Sequence, residues 1–352
     1  MRPVSNVLPS HVLSEPAKVL GKRHALSSLA VTAFSGPDAL AFLQGQLTND
    51  LAGAAADQAR LAGYCTAQGR LLGSGVFFQA DANLEDVPKV LAIMRADILA
   101  SVIKRLSMFV LRAKVKISQA VALTVSGVTC VASDLAALSE HVKVSLPVKP
   151  YQLSRSEFGY WICAPQSNAK TLRWWWIADT QQLGEAQQLI DQLQLEPSVS
   201  WDLADLEAGL PWIEALTQDL FIPQTVNLDL IDGVSFSKGC YPGQEIVARS
   251  HYRGTLKRRM AYGFIERTIS TSTEGADGQS HLTINPGDDV INTLDDNQAC
   301  GRVINAVHSE KRTYLLFEAP FTVMDSDSLS LAGYSEIKIE QLALPYPIVK
   351  VD

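Results

Sequence analysis

Ser235-Phe236-Ser237-Lys238-Gly239-Cys240-Tyr241-Pro242-Gly243-Gln244-Glu245-Ile246-Val247-Ala248-Arg249 places a lysine, a cysteine and a Pro-Gly pair directly ahead of a helical pattern. Pro242 suits a first helical position, which puts Gln244 and Glu245 in the first turn. Arg249, His251 and Arg253 then lie toward the end, and Gly254 can take a left-handed cap. Acid first and base last matches the helix macrodipole. Cys240 therefore falls just before a helix N-terminus, a place that stabilises a thiolate. Lys238 adds positive charge there if it points the same way. The bland alternative is a small buried cysteine beside a solvated lysine, and these residues alone divide the two evenly.

Upstream, Ser200-Trp201-Asp202-Leu203-Ala204-Asp205-Leu206-Glu207-Ala208-Gly209-Leu210-Pro211 reads as a short helix capped by Ser200 and ended by Gly209 and Pro211. Glu207 breaks a local rule, because a carboxylate at a helix C-terminus faces the negative end of the dipole. Such a violation sometimes marks a binding site, and a carboxylate suits an amino-pyrimidine edge. On spacing alone, plain solvent exposure of Glu207 is the better reading. Downstream, Arg249, His251, Arg253, Lys257, Arg258 and Arg259 form a basic run that either meets an anionic partner or balances nearby acids.

The rest of the chain mixes helix and strand signals. Ser35-Gly36-Pro37-Asp38 opens a short helix, and Gly63 to Phe78 forms a hairpin around Gln68-Gly69. Val87 to Leu106 reads as a long amphipathic helix and Phe109 to Ile117 as a strand. Val121 to Val125, Tyr160 to Ala164 and Arg173-Trp174-Trp175-Trp176-Ile177 read as strands, and Gln181 to Leu195 as a helix. The tryptophans alternate in direction and belong to core packing. After Met260, short apolar runs separated by Gly, Asn, Asp and Ser give an all-β pattern, with an exposed loop over Glu266 to Ser280. The expected fold is α+β in three parts: residues 1–118, 119–255 (which include the Lys238 to Glu245 segment) and 256–352.

Composition bounds the function. The 352 residues are 47% hydrophobic and 19% charged with a net charge of −7, which excludes a disordered chain and argues against direct RNA binding. No apolar run is long enough to span a membrane. Met1 to Ala17 reads as an irregular lead-in rather than a signal peptide, so the expected compartment is cytoplasmic. The five cysteines, Cys65, Cys130, Cys163, Cys240 and Cys300, form no CxxC, and the histidines form no HxH or HExxH. Neither a disulfide framework nor a metal site is expected.

Lys238-Gly239-Cys240-Tyr241-Pro242-Gly243-Gln244-Glu245 resembles the signature of the YgfZ family of folate-binding proteins, which is related to the aminomethyltransferase (T-protein) of the glycine cleavage system. Phe42 to Asp50, the Cys65 to Arg70 turn, Leu206 to Pro211, Phe221 to Gln224, Asn227-Leu228 and Leu344 to Tyr346 support the resemblance. It implies two ferredoxin-like α+β domains and a C-terminal β-barrel in a T-protein-like arrangement around a central cavity. It implies tetrahydrofolate or a derivative as cofactor, and iron–sulfur client enzymes as partners, with tRNA modification affected indirectly. By the same resemblance, Cys240 is the functional thiol and Lys238 its neighbour, surrounded by Gly239, Tyr241, Gly243, Gln244 and Glu245. Trp201, Glu207, Tyr241, Gln244, Glu245 and Arg249 are the candidate cofactor-binding residues, Trp201 as a folate-contacting aromatic and Glu207 as the pterin-binding glutamate. Two departures follow. The catalytic aspartate position of the T-protein is Gly73-Ser74 here, and a family aromatic near the first strand is Leu29.

The leading expectation is thus a folate-binding accessory protein for assembly or repair of iron–sulfur enzymes. The alternative is an aminomethyltransferase-like one-carbon enzyme, against which Gly73-Ser74 counts. A direct RNA-binding factor rests only on the basic run and is opposed by the overall charge.

Overall fold

The computed structural model describes residues 19–80, 90–252, 256–266, 283–324 and 326–348. The lead-in before Val19, Arg253, Gly254 and most of the Glu266 to Ser280 loop lie outside these. Three sheets make up the molecule. The first has five antiparallel strands in the order Arg60–Cys65, Leu71–Gln79, Val90–Arg95, Leu29–Ser35, Lys116–Gln119. The second has six, in the order Leu193–Glu196, Gly21–Ala25, Leu123–Val131, Thr171–Asp179, Gly159–Cys163, Leu153–Ser156. Its Gly21–Ala25 strand comes from the beginning of the chain, across the boundary expected near residue 118, and pairs parallel with Leu193–Glu196.

Both sheets are buried on two faces. The first packs one face on the helices Ala39–Gln44 and Ala96–Ser107. The second packs one face on Leu135–Val142 and the helical turns Thr180–Glu185 and Gln187–Ile190. The remaining faces meet in a shared central core that holds Val31, Ile93, Ile162, Trp175, Trp201 and Leu316. The tryptophan strand shows the alternation directly: Trp174 and Trp176 enter the helix-backed core and Trp175 the central one.

The third sheet has seven strands, in the order Tyr334–Lys338, Leu329–Leu331, Asp289–Asn292, Gln298–His308, Arg312–Pro320, Arg258–Glu266, Glu340–Leu342. Its two edge strands are consecutive in the chain with Ile339 between them, so the sheet curls back on itself. No pairing closes the ring among the described residues, which makes it a curled half-barrel where a complete barrel was expected. Among the described residues, no helix is long and apolar enough to cross a membrane.

Four local expectations change. Val90–Arg95 is a strand and the helix begins at Ala96, because the apolar run VLAIM is buried on both faces between two neighbouring strands. The Phe109 to Ile117 strand shrinks to Lys116–Gln119. The Gln181 to Leu195 helix stops at Ile190, and Leu193–Glu196 is drawn into the sheet by Gly21–Ala25. The Ser200 helix begins two residues earlier, at Ser198 after Pro197, and the Ser200 hydroxyl donates back to the Pro197 carbonyl at 2.9 Å.

Candidate functional site

Between Ala208 and Gly243 the chain has almost no regular structure, yet Trp212, Ile213, Phe221, Val226 and Leu228 are buried in the central core. A buried irregular segment needs partners for its backbone, and side chains from all around supply them. Asn305 brackets Trp212, accepting from its N–H at 3.0 Å and donating to its carbonyl at 2.8 Å. Ser74 Oγ accepts from the Ile213 N–H at 3.1 Å. Thr48 donates to the Gly233 carbonyl at 2.7 Å, and Asn227 to the Met260 carbonyl at 2.9 Å. This belt ends in the Lys238 to Glu245 segment.

Two interlocking turns hold that segment. Gly69 and Gly243 both have positive φ, at 74° and 80°. A Cβ on Gly243 would lie 2.4 Å from the Thr66 carbonyl oxygen and 2.5 Å from Gly69 Cα, so the backbones meet where only glycine fits. The helix starts at Gln244, two residues after Pro242, and runs to Tyr252. His251 at its end stacks on Phe236 at 3.7 Å between ring centres, tying the helix back to the start of the loop. Cys240 is left exposed on the loop, and nothing lies within 4 Å of a Cβ placed on Gly239.

Lys238 does not face the thiol as its charge suggested. Its ammonium donates to the carbonyls of Gln44 and Leu47, each at 2.6 Å, and sits 5.2 Å from the Tyr241 ring centre. Those carbonyls end the Ala39–Gln44 helix and the turn after it, so Lys238 acts as a C-terminal cap across the chain. Burial pulls its pKa down to about 8, against the opposing charge of Asp50. Of the remaining predicted residues here, Tyr241 is buried beside Cys65 and Gln244 is half-buried. Glu245 and Arg249 are exposed and pair with each other at 3.0 Å.

Trp201 and Glu207 lie elsewhere, on the Ser198–Glu207 helix at the central core. Among the described residues, no hydrogen bond, ion pair or ring contact joins them to the thiol loop. Trp201 is 1% exposed, lies over Gly127 and carries the Arg173 guanidinium 4.2 Å from its ring centre. Arg173 also pairs with the buried Asp205, whose second oxygen accepts from Trp212 Nε1 at 2.9 Å. This network was missed from the sequence, although an arginine inside the strand Leu172 to Ile177 signals a buried pair. Glu207 is the last residue of the helix and half-buried, and its carboxylate has no hydrogen-bond or ion-pair partner among the described residues. It lies close enough to Tyr262 that, after burial, its charge holds that phenol above the usual range. Three further buried polar atoms in this core lack partners among the described residues: Tyr151 Oη, Trp175 Nε1 and Trp201 Nε1.

The basic run is not one patch. Arg249 pairs with Glu245, His251 stacks on Phe236, and Arg259 is buried against Asp229 and the Gln224 carbonyl.

This chain is 30% identical over 346 residues to the tRNA-modifying protein YgfZ of Vibrio vulnificus strain CMCP6, covering 94% of the chain and 96% of that relative. It is 32% identical over 243 residues to the tRNA-modifying protein YgfZ of Yersinia pestis strain Pestoides F, covering 67% and 68%. The chain belongs to the YgfZ family. No protein-family model matches it. Among solved structures it is similar to the glycine cleavage system aminomethyltransferase T of Bartonella henselae, with a TM-score of 0.65 over 94% of this chain and 87% of that one. At 12% identity that likeness is one of fold. In this YgfZ chain Gly73 and Ser74, which stand where the resemblance sets a transferase carboxylate, face two different ways. A Cβ on Gly73 would point at Ile98, Met94 and Val102, and the Ser74 hydroxyl is committed to the Ile213 backbone.

Proposed function

We propose that this chain binds tetrahydrofolate or a derivative at the Glu207 end of the central core. We further propose that it serves in the assembly or repair of iron–sulfur enzymes, and that it acts on tRNA modification through them. The relatives named as tRNA-modifying proteins and the aminomethyltransferase fold support this reading. The observation that carries it is the partnerless, half-buried carboxylate of Glu207 at the margin of a core with three unmatched polar atoms. Buried polar groups in native proteins are nearly always satisfied, so three unmatched atoms in one core accord with a polar ligand.

Glu207 accepts two parallel hydrogen bonds from the amino-pyrimidine edge, and Tyr262 stands beside it as an apolar wall with a neutral phenol. A bound reduced folate would supply a pterin able to carry a one-carbon unit. This chain offers no carboxylate at Gly73-Ser74 to assist transfer from it, which favours the accessory role over an aminomethyltransferase-like enzyme. Cys240 is the group presented to the partner. A single cysteine falls short of the four ligands a cluster takes, so its contact with a client enzyme is shared or transient. A cytoplasmic location goes with this role.

The test is rescue of iron–sulfur enzyme activity in cells lacking their own family member. The unaltered chain restores it, while Cys240→Ser and Glu207→Gln, both folded by circular dichroism, do not. Full rescue by both variants would remove the proposal.

A further inference from the structure

A cleft of about 470 Å³ opens between the curled sheet and the irregular belt, away from Glu207 and Cys240 in its lining. That volume is within the range of small-molecule sites. Three guanidiniums from three separate parts of the chain line it: Arg70, Arg258 and Arg302. Each is only partly committed. Arg70 uses Nη1 alone, on the carbonyls of Asp219 and Leu220 at 3.2 and 2.8 Å. Arg302 uses Nε alone, on Asp289 at 3.2 Å. Arg258 makes no hydrogen bond among the described residues and approaches Glu318 no closer than 3.7 Å. Among the described residues, every one of the three thus keeps at least one terminal amine without a hydrogen-bond partner.

At Gly301 the neighbouring backbone comes close: a Cβ there would fall 1.7 Å from the Glu318 carbonyl oxygen, so only glycine fits. Glu318 and Asp289 are the two carboxylates in the lining, against three arginines. Burial raises the Glu318 carboxyl above its ordinary range, against the opposing charges of Arg258, Arg302 and Arg70, and all four side chains line the cleft.

We propose that this cleft binds a phosphate-bearing ligand, carried on a free small molecule or on an RNA backbone. A carboxylate has two oxygens and satisfies one guanidinium fork. Free donors from three forks match the larger oxygen set of a phosphate or pyrophosphate. The site also has a position in the architecture. Arg70 closes the Thr66 to Arg70 turn, the turn on which Gly243 of the thiol loop packs. A ligand held by Arg70 is therefore fixed relative to the loop that presents Cys240. The proposal does not depend on folate binding.

Calorimetric titration of the full chain with sodium pyrophosphate tests it, with a second arm using an unmodified tRNA transcript. Saturable pyrophosphate binding is expected, weakened about tenfold or more by Arg70→Gln and by Arg302→Gln. Arg112→Gln, the same charge change at an exposed position outside the lining, should leave it unaltered. If tRNA binds, loses affinity in the same two variants and is displaced by pyrophosphate, RNA is the source of the phosphate. If pyrophosphate binds and tRNA does not compete, the ligand is a small molecule. Absence of saturable pyrophosphate binding, or equal weakening by Arg112→Gln, would overturn the site. Matching thermal transitions of all variants keep either result interpretable.

Discussion

Cys65, Cys130 and Cys163 lie in strands and are buried, and desolvation pushes each of their thiols up to about 12. Cys300 is half-buried and raised as well, chiefly by burial. Cys240 is exposed on its loop. Iodoacetamide at pH 7.5 should therefore label Cys240 more than about a hundredfold faster than Cys65, Cys130 or Cys163, and faster than Cys300. Peptide mapping reads this directly, and comparable labelling of a second thiol would contradict it. The sequence singled out this cysteine by its place before a helix, and the structure leaves it exposed there. The role of Lys238 was not legible, because a lysine's partners across the chain depend on where the Ala39–Gln44 helix docks. A second residue-scale effect concerns Asp202, whose pKa rises from 3.8 to about 6 through burial, then the charge of Asp205. The folded state then holds more protons than the unfolded one between about pH 4 and 6, so stability falls as pH rises through that window. Asp202→Asn should gain about 1 to 3 kcal/mol at pH 7 and little at pH 4, by urea denaturation at each pH. An equal gain at both would contradict the assignment.

At the scale of elements, the Ser198–Glu207 helix decides where Glu207 sits, and Arg173 decides where that helix sits. Its guanidinium pairs with Asp205, covers Trp201 and donates to the Pro165 carbonyl at 3.1 Å. Arg173→Met keeps much of the volume but strands the Asp205 charge in the core. It should cost about 3 to 5 kcal/mol, whereas breaking the exposed Glu245–Arg249 pair by Arg249→Met should cost under about 1 kcal/mol. Chemical denaturation of the two variants measures both, and similar small losses would show the buried network to be dispensable. The helix itself was readable from its breakers Gly209 and Pro211 but not from Ser200, which lies inside it, and the Gly63 to Phe78 hairpin was readable from its turn. Val90–Arg95 was not, since an apolar run without period fits a buried strand and a buried helix alike. The end of the Gln181 to Leu195 segment failed for a different reason: a strand from the far end of the chain captured it.

For the whole molecule, the mixed α+β class and the all-β stretch after Met260 were legible, because the texture of the sequence changes where the curled sheet begins. The convergence of three sheets on one core was not, since each inner face is set by tertiary packing and the central residues come from every part of the chain. That convergence is what leaves Glu207 at the end of a helix packed on the central core, where folate binding is proposed. The most direct measurement is calorimetric titration with tetrahydrofolate of the full chain and of Glu207→Gln. Saturable binding by the unaltered chain is expected, weakened in the variant by about 1.5 to 3 kcal/mol through loss of the charge-assisted pair of hydrogen bonds. Unchanged affinity in Glu207→Gln, or no binding by the unaltered chain, would contradict it.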